Sequence, residues 1–393
     1  SVSSIFSQQK GQSKVIQLDK GVEKQEFEVS ALNYEANRHF FLSKYFRDNY
    51  EAALKNLPVV NSGITISKIE VWVTNKNSRF EQARNIVAFV DLGESQKHIS
   101  NPSEFHGTGV YPANETNNLY QQMTDGPYQG IRDINQVSKI LNKFRSGKDF
   151  EKLENARLLD PSEYVLNEKL GYISLNFALN ADEVLAVSYE YTVRGEIHTV
   201  GELTSNALAA PSALIVKMLR STTQSPEMPT WDLMMKNVYN IGAYHLSADD
   251  FVLDVLYQND KAGTQVNYLP AGDIDRQILL AVMNLDRLNT QLDATPDGRF
   301  DYIEGITVFP SQGRIVFPVL EPFGSWLKQK INNPGVAGQY VFQELYDKSQ
   351  TEAGQIAEKN KFYLKGSYKS SAGSEISLGG INIQQGSVKV MAG

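Results

Sequence analysis

Cysteine is absent from the sequence, so none of its 393 residues can form a disulfide, supply a thiolate to a metal or act as a cysteine nucleophile. This absence does not indicate a compartment, and an oxidising one stays open. Long apolar runs are absent too: Ile278 to Met283 falls far short of the ~20 residues that a membrane-spanning helix needs. The sequence therefore predicts a soluble chain without a transmembrane helix.

The chain also lacks an excess of positive charge. Lys and Arg number 38 against 45 Asp and Glu, which gives a formal net charge of -7. Proteins that bind nucleic acid neutralise phosphates with a basic surface. Nucleic acid is therefore not expected as a partner.

The two ends of the chain have few of the features that begin or close a protein. Residues 1–12 carry neither the basic nor the apolar region of an export signal, although a signal removed from a precursor is compatible with this. Residues 386–390 alternate as a strand does, close to the last residue. We interpret the chain as a piece of a larger protein.

Apolar periodicity predicts both helices and strands. Steps of three and four residues predict helices over 34–57, 134–144, 232–240, 325–333 and 340–359. Alternation predicts strands over 69–73, 173–179, 185–193, 197–200, 251–257, 306–309 and 314–317. The pair Arg194-Gly195 predicts a hairpin between two of them. Since no regular strand–helix–strand order is present, we predict a β-rich α+β fold, with largely antiparallel sheets and several interspersed helices.

Polar loops rich in Asn, Pro and Gly divide the chain near 94–130 and 332–338. They predict a helix plus β-sheet subdomain over 1–130 and an α+β core subdomain over 131–331. Residues 332–393 are predicted to supply a helix and strands that lead into the rest of a larger protein. Long surface loops inside one domain are the alternative explanation.

The histidines do not have the spacing of a catalytic or metal site. His39, His98, His106, His198 and His245 are scattered, and none forms a His-Glu-x-x-His or His-x-His pair. We interpret each as a structural or surface residue. Phosphate-binding loops and the Gly-x-Ser-x-Gly elbow are also missing. Glycoside hydrolysis by a pair of carboxylates is a further hypothesis, but an acidic chain offers many such pairs. No enzyme activity is predicted.

One segment has the spacing of a cation site. Asp293, Asp297, Asp301 and Glu304 occupy positions 1, 5, 9 and 12 of a loop with Gly298 at position 6. This is the spacing of an EF-hand calcium loop, in which a glycine kink turns several oxygens inward. A polar Asp-Gly turn that enters a hairpin is the alternative. Calcium is the single cofactor that the sequence suggests.

A succession of segments resembles the SprA/Sov family of Bacteroidetes, outer-membrane translocon proteins of type IX secretion and gliding motility. The resemblance extends over most of the chain. Its segments are 34–42, 45–50, 63–75, 84–89, 170–176, 183–193, 256–258, 297–323, 364–368 and 386–390. No one of them is a chemical signature, and their order carries the resemblance.

The resemblance implies a soluble domain of a giant outer-membrane protein-conducting channel, acting as a structural and protein-interaction module. Its implied partners are the rest of the barrel-forming chain, PorV-like lid and plug proteins, and secreted cargo proteins. It implies a place at the outer membrane, on the periplasmic or the cell-surface side, and no catalytic residues. The alternative is a secreted carbohydrate-binding or adhesive β-sandwich module, suggested by Trp72, the 19 tyrosines and the Asp297-Gly298 turn.

Overall fold

The computed structural model describes residues 16–19, 22–76, 81–96, 105, 107, 109–260 and 262–370. The alternating segment 386–390 and the first twelve residues lie outside this part of the chain. The described residues form an α+β fold rich in strands, with mostly antiparallel pairing, as predicted.

Strands and short helices follow one another irregularly along the described residues. The strands are β1 (Ile16–Asp19), β2 (Val22–Ser30), β3 (His39–Phe41), β4 (Ile64–Val73), β5 (Arg84–Phe89), β6 (Phe150–Leu158), β7 (Tyr164–Asn167), β8 (Tyr172–Leu175), β9 (Leu185–Val193), β10 (Glu196–Val200), β11 (Leu214–Arg220), β12 (Val238–Asn240), β13 (Val252–Asn259), β14 (Thr264–Val266), β15 (Val308–Phe309), β16 (Arg314–Val316) and β17 (Phe362–Ser370). The helices are α1 (Lys44–Ala53), α2 (Leu119–Thr124), α3 (Val137–Ile140), α4 (Leu279–Val282), α5 (Ser325–Ile331), α6 (Pro334–Tyr340), α7 (Glu344–Asp347) and α8 (Gln350–Gly354). Single 3-10 turns lie at Ala31–Asn33, Gln129–Arg132, Pro161–Glu163, Pro229–Leu233, Ala248–Asp250, Gly272–Ile274 and Pro310–Gln312.

The largest sheet has six strands in the order β10-β9-β11-β5-β6-β4, and β9 pairs with β4 as well. Strands β4, β9, β11, β5 and β6 therefore form a closed ring, in which the β5–β11 pair is parallel. Every residue of β11 is buried. The predicted β9–β10 hairpin is confirmed, because the two strands pair across Arg194 and Gly195, which have positive φ of 51° and 85°.

A second sheet has five strands in the order β1-β2-β17-β13-β14. Strands β2 and β17 pair from Ser30 opposite Tyr363 to Glu23 opposite Ser370, so distant parts of the chain meet here. The predicted segments 1–130 and 332–393 both contribute to this sheet. Whether the three predicted segments are separate subdomains stays a prediction.

Two three-stranded sheets lie where the larger parts meet. One has the order β3-β8-β7 and the other the order β12-β16-β15. The second contains the hairpin predicted over 306–317, which is confirmed by the antiparallel pairing of β15 with β16. Gly313 turns this hairpin with φ 62°, and a Cβ there would lie 1.8 Å from the backbone oxygen of Ala243.

Two of the predicted helices are wrong over much of their length, because strand pairing overrides local periodicity. The helix predicted over 34–57 is reduced to α1, since His39–Phe41 pairs with β8. The helix predicted over 232–240 is replaced by a 3-10 turn and β12, which pairs with β16. Apolar contacts from far along the chain decide both outcomes.

Two other predicted helices are shorter, and one is confirmed. Helix α3 covers four residues of the predicted 134–144. The helix predicted over 340–359 is broken into α7 and α8, because Ser349 and Glu352 form a capping box that starts a new helix. The helix predicted from Ser325 is confirmed as α5, and Asn332 ends it with φ 51°.

The apolar side chains form two clusters. The first fills the ring and the space between the ring and α1, with Trp72, Phe89 and Tyr189 fully buried in it. The second packs the five-stranded sheet against α4 to α8. Ala36 packs against both clusters, so the segment before β3 joins them. In the part of the chain that the structure describes, no helix has the length and apolarity to cross a bilayer.

Candidate functional site

A cleft of ≈ 340 Å³ lies between the two three-stranded sheets. Its walls combine apolar residues with convergent polar and charged groups. The lining residues are His39, Val165, Leu166, Asn167, Glu168, Lys169, Tyr172, Ser174, Val238, Gly305, Phe309, Gln312, Arg314 and Val316. Residues 165–169 line it along β7 and the start of the turn that follows β7.

A chain of polar contacts runs along the floor of the cleft. Ser174 Oγ lies 2.8 Å from His39 Nδ1, and His39 Nε2 lies 3.1 Å from Glu35 Oε2. Arg314 Nε donates to the same Glu35 oxygen at 2.6 Å. An ionised carboxylate only accepts hydrogen bonds, so His39 Nε2–H donates to Glu35. The Ser174 hydroxyl then donates to His39 Nδ1.

Strand register brings these residues together. His39 in β3 is directly opposite Ser174 in β8, so their side chains share one face of the sheet. Glu35 follows the 3-10 turn Ala31–Asn33, and its backbone N–H donates to the Val238 carbonyl at 2.8 Å. Arg314 begins β16, the neighbour of the strand that holds Val238. The contact chain therefore ties the two small sheets to each other.

Charge compensation determines the protonation states. Burial alone would raise the pKa of Glu35, but the hydrogen bonds and charges of His39 and Arg314 outweigh it and lower this pKa to about 2. Burial lowers the pKa of His39, against the opposing effect of Glu35. Glu35 is thus ionised and His39 neutral at pH 7. The Glu35 and Arg314 side chains are only 11% and 6% exposed, so the ion pair is largely shielded from solvent.

The contact chain resembles the serine, histidine and carboxylate set of hydrolases, but its geometry differs. In those enzymes the serine contacts Nε2 and the acid contacts Nδ1, whereas Ser174 contacts Nδ1 and Glu35 contacts Nε2. Ser174 also lies inside β8 and not on a sharp turn that would expose its hydroxyl. Glu35 already neutralises Arg314. This arrangement is suited to holding two sheets together.

The structure does not gather the predicted calcium ligands. Both carboxylate oxygens of Asp301 accept backbone N–H groups, from Arg287 at 2.7 Å and Leu288 at 3.1 Å. Asp297 caps its own turn through the N–H of Arg299, 3.0 Å away. Within the described residues, no group of three or more His, Asp or Glu side chains is placed to hold a metal ion. Calcium binding stays a prediction without geometric support.

The remaining predicted ligand residues have local roles. Asp293 Oδ2 accepts from Asn289 Nδ2 at 3.3 Å, and Glu304 forms an isolated bridge with Val308. Asp301 is nevertheless unusual, because burial raises its pKa to about 6 despite the two backbone hydrogen bonds. Its carboxylate fastens the loop after α4.

His198 and His245 do not line the cleft. His198 stacks on Tyr191, with ring centroids 5.3 Å apart. His245 has a positive φ of 55°. His98 and His106 lie outside the described residues. Trp72, one basis of the carbohydrate-binding alternative, has no exposed surface and cannot stack on a sugar.

Sequence reasoning missed the residues that converge in the cleft. Glu35 and His39 are four positions apart, but Ser174 and Arg314 lie 135 or more positions from them, and no local spacing joins the whole set. The segments that carried the family resemblance do contain them: 34–42 holds Glu35 and His39, 170–176 holds Ser174, and 297–323 holds Arg314. The polar residues within those segments were therefore the signal from which the cleft residues could have been found.

Comparison with known families relates the first 180 residues to motility and secretion proteins. Residues 1–180 match the model of the family SprA_N, described as motility related/secretion protein. This match confirms the resemblance to the SprA/Sov family over these residues. The motility and secretion description of this family supports an association with the cell envelope. A search of the curated proteins found no match.

Proposed function

We propose that the chain is a structural and protein-interaction module of an outer-membrane protein-conducting channel that serves type IX secretion and gliding motility. Its partners would be the rest of the barrel-forming chain, PorV-like lid and plug proteins, and secreted cargo. The observation that carries this proposal is the Ser174–His39–Glu35–Arg314 chain, in which polar groups are bonded to each other under an open cleft. The match of residues 1–180 to the SprA_N family supplies the secretion context.

The cleft has the composition of a protein-binding surface. Val165 on β7 is 39% exposed, and the half-buried Phe309 faces the same space. Strand β7 pairs only with β8 among the described strands. An unpaired strand edge beside apolar pockets is the arrangement that extended polypeptides bind by strand addition.

A photo-crosslinking residue at Val165, in the full-length chain in its native cell, tests the interaction role. The control is the same residue at Val252, which is 51% exposed but lies on β13 in the five-stranded sheet. We expect adducts with lid, plug or cargo proteins of the secretion machinery from Val165 and not from Val252. Equal adducts from both positions, or none from Val165, would contradict the role of the cleft.

We also propose that the chain is not an enzyme. The experiment compares the wild type with Ser174→Ala on a panel of carboxylic esters and peptides, because Ser174 is the only hydroxyl in the contact chain. No hydrolysis above the variant's background is expected, since Glu35 is held by Arg314. Hydrolysis that disappears in Ser174→Ala would replace the structural role with a catalytic one.

A further inference from the structure

A second cavity of ≈ 340 Å³ lies where the end of β11, the segment before β3 and the start of α8 meet. It is separate from the cleft described above, and the two share no lining residue. Its lining residues are Tyr34, Ala36, Asn37, Ala181, Arg220, Thr222, Gln224, Trp231, Met234, Ser349, Gln350 and Thr351. Most of its polar groups come from β11, the residues that follow it and the start of α8.

Arg220 is a buried cation without a direct ionic partner. It is 2% exposed, and it donates Nε to Asn37 Oδ1 at 3.3 Å and Nη1 to the carbonyl of Glu183. No ion pair connects its guanidinium to a carboxylate anywhere in the described ranges. An arginine has five N–H donors, so these two bonds leave donors unused. A buried charge without a partner is costly.

The nearest acidic groups are engaged elsewhere. Asp182 forms an ion pair with Lys76 at 2.6 Å. Glu183 accepts hydrogen bonds from the backbone N–H and the side-chain amide of Asn180, at 2.7 and 2.8 Å. Their charges reach Arg220 only over a longer distance, and burial still lowers the Arg220 pKa. The guanidinium is therefore free to accept an external anion.

Two further donors on the same cavity lack acceptors. The Gln224 amide nitrogen and the Tyr34 hydroxyl are buried, and neither has a hydrogen-bond partner among the described atoms. Tyr34 is 3% exposed, and burial raises its pKa, so it keeps its proton. Unsatisfied buried donors are rare in folded proteins and call for an explanation. An acceptor that enters the cavity supplies one.

We propose that this cavity binds the carboxylate of a ligand, with Arg220 as the cation and the Gln224 amide as a second donor. A carboxylate only accepts hydrogen bonds, which matches a site that offers donors. Trp231 and Met234 supply apolar walls for the carbons next to the carboxylate. The ligand is a polypeptide chain end or acidic side chain, or a small free carboxylate. The proposal does not depend on the secretion role.

Titration calorimetry on the whole chain tests the site with three probes: acetyl-alanyl-alanine with a free carboxylate, the same peptide as its amide, and acetate. We expect the free-acid peptide to bind and the amide not to bind. Binding by the peptide acid alone identifies a polypeptide carboxylate, and equal binding by acetate identifies a small carboxylate. Binding of the amide as tightly as the acid, or no binding of either acid at millimolar concentration, overturns the proposal.

Two variants and a matched control assign the site to its residues. Arg220→Gln should weaken binding of the peptide acid at least ~10-fold, the effect expected for one hydrogen bond to a charged group. Gln224→Leu should weaken it less, and it carries the test if Arg220→Gln does not fold. The control Arg276→Gln removes the same charge from a side chain that is 89% exposed. Unchanged affinity in Arg220→Gln or Gln224→Leu, or an equal loss in the control, refutes the assignment.

Discussion

Replacing Glu35 by glutamine is the most direct test of the contact chain between the small sheets. The pKa of Glu35 falls from an ordinary 4.5 to about 2, which corresponds to ~3 kcal/mol of stabilisation at neutral pH, since each tenfold change in affinity for the proton is about 1.4 kcal/mol. The loss of one partner from a buried ion pair costs a similar ~3 to 5 kcal/mol. Glu35→Gln should therefore lower the free energy of unfolding by about 3 kcal/mol at pH 7.

The stability that Glu35 contributes should decrease as the pH falls. A carboxyl with a lowered pKa in the folded state contributes stability above its unfolded pKa and loses it as pH falls through the folded pKa. The wild type should thus lose the Glu35 contribution between about pH 4.5 and pH 2. The difference between the wild type and Glu35→Gln should shrink to ~1 kcal/mol at pH 3.

Urea unfolding of both proteins at pH 7 and pH 3, followed by tryptophan fluorescence and circular dichroism, measures this difference. Asp260→Asn is the control, because Asp260 pairs with Lys361 at 2.6 Å but is 64% exposed. Exposed pairs contribute at most ~1 kcal/mol. A Glu35→Gln effect no larger than the control at pH 7, or one that stays constant down to pH 3, would refute the reasoning.

Three further predictions concern loops. Gly313→Ala should destabilise the protein by more than the ~1 to 2 kcal/mol that a left-handed backbone costs, because the new Cβ would lie 1.8 Å from a backbone oxygen. The control Gly298→Ala is also at positive φ, but nothing lies within 4 Å of its Cβ, so it should lose only the stability that the left-handed backbone costs. Equal melting temperatures of the two variants would contradict this. Because the pKa of Asp301 is raised, the free energy of unfolding should fall as pH rises from about 4 to 6. Asp301→Asn should show a smaller fall, measured as the difference between thermal melts at pH 4 and pH 7. Millimolar calcium should leave the melting temperature unchanged, because both Asp301 oxygens already accept backbone N–H groups; a rise that disappears in Asp297→Asn would support the calcium site.

The sequence predicted those strands in which one face is apolar and the other polar. Strand β9 and the hairpin at Arg194-Gly195 follow from alternation and a turn signal. Strand β11 is buried on both faces, and apolar residues follow one another along it except at Lys217 and Arg220, so it shows no alternation to detect. The break at Ser349 was readable, since Ser-x-x-Glu is a capping signal.

The cleft was beyond sequence reasoning for a different physical reason. His39 and Ser174 meet because β3 and β8 are in register, and Arg314 arrives on a strand of another sheet. Register depends on which face of each strand is buried, and burial is a property of the whole fold. Local spacing thus showed five scattered histidines, whereas strand register places Ser174 beside His39.

The family match ends inside the ring of strands, and this has a testable consequence. Residues 1–180 include β4, β5 and β6 but not β9, which pairs with β4, or β11, which pairs with β5. In a fragment of residues 1–180 the buried Val71, Trp72 and Val73 of β4 would lose β9, one of the two strands that pair with β4. Exposed apolar strand edges of this kind aggregate or stay unfolded.

We therefore expect a fragment of residues 1–180 to lack a cooperative unfolding transition, whereas a fragment of residues 1–240 contains all five strands of the ring and should show one. Circular dichroism and amide chemical-shift dispersion of the two fragments measure the difference. Native-like dispersion in the shorter fragment would mean that the ring is not needed for folding. Loss of structure there would show that residues beyond 180 complete the folding unit to which the matched family segment belongs.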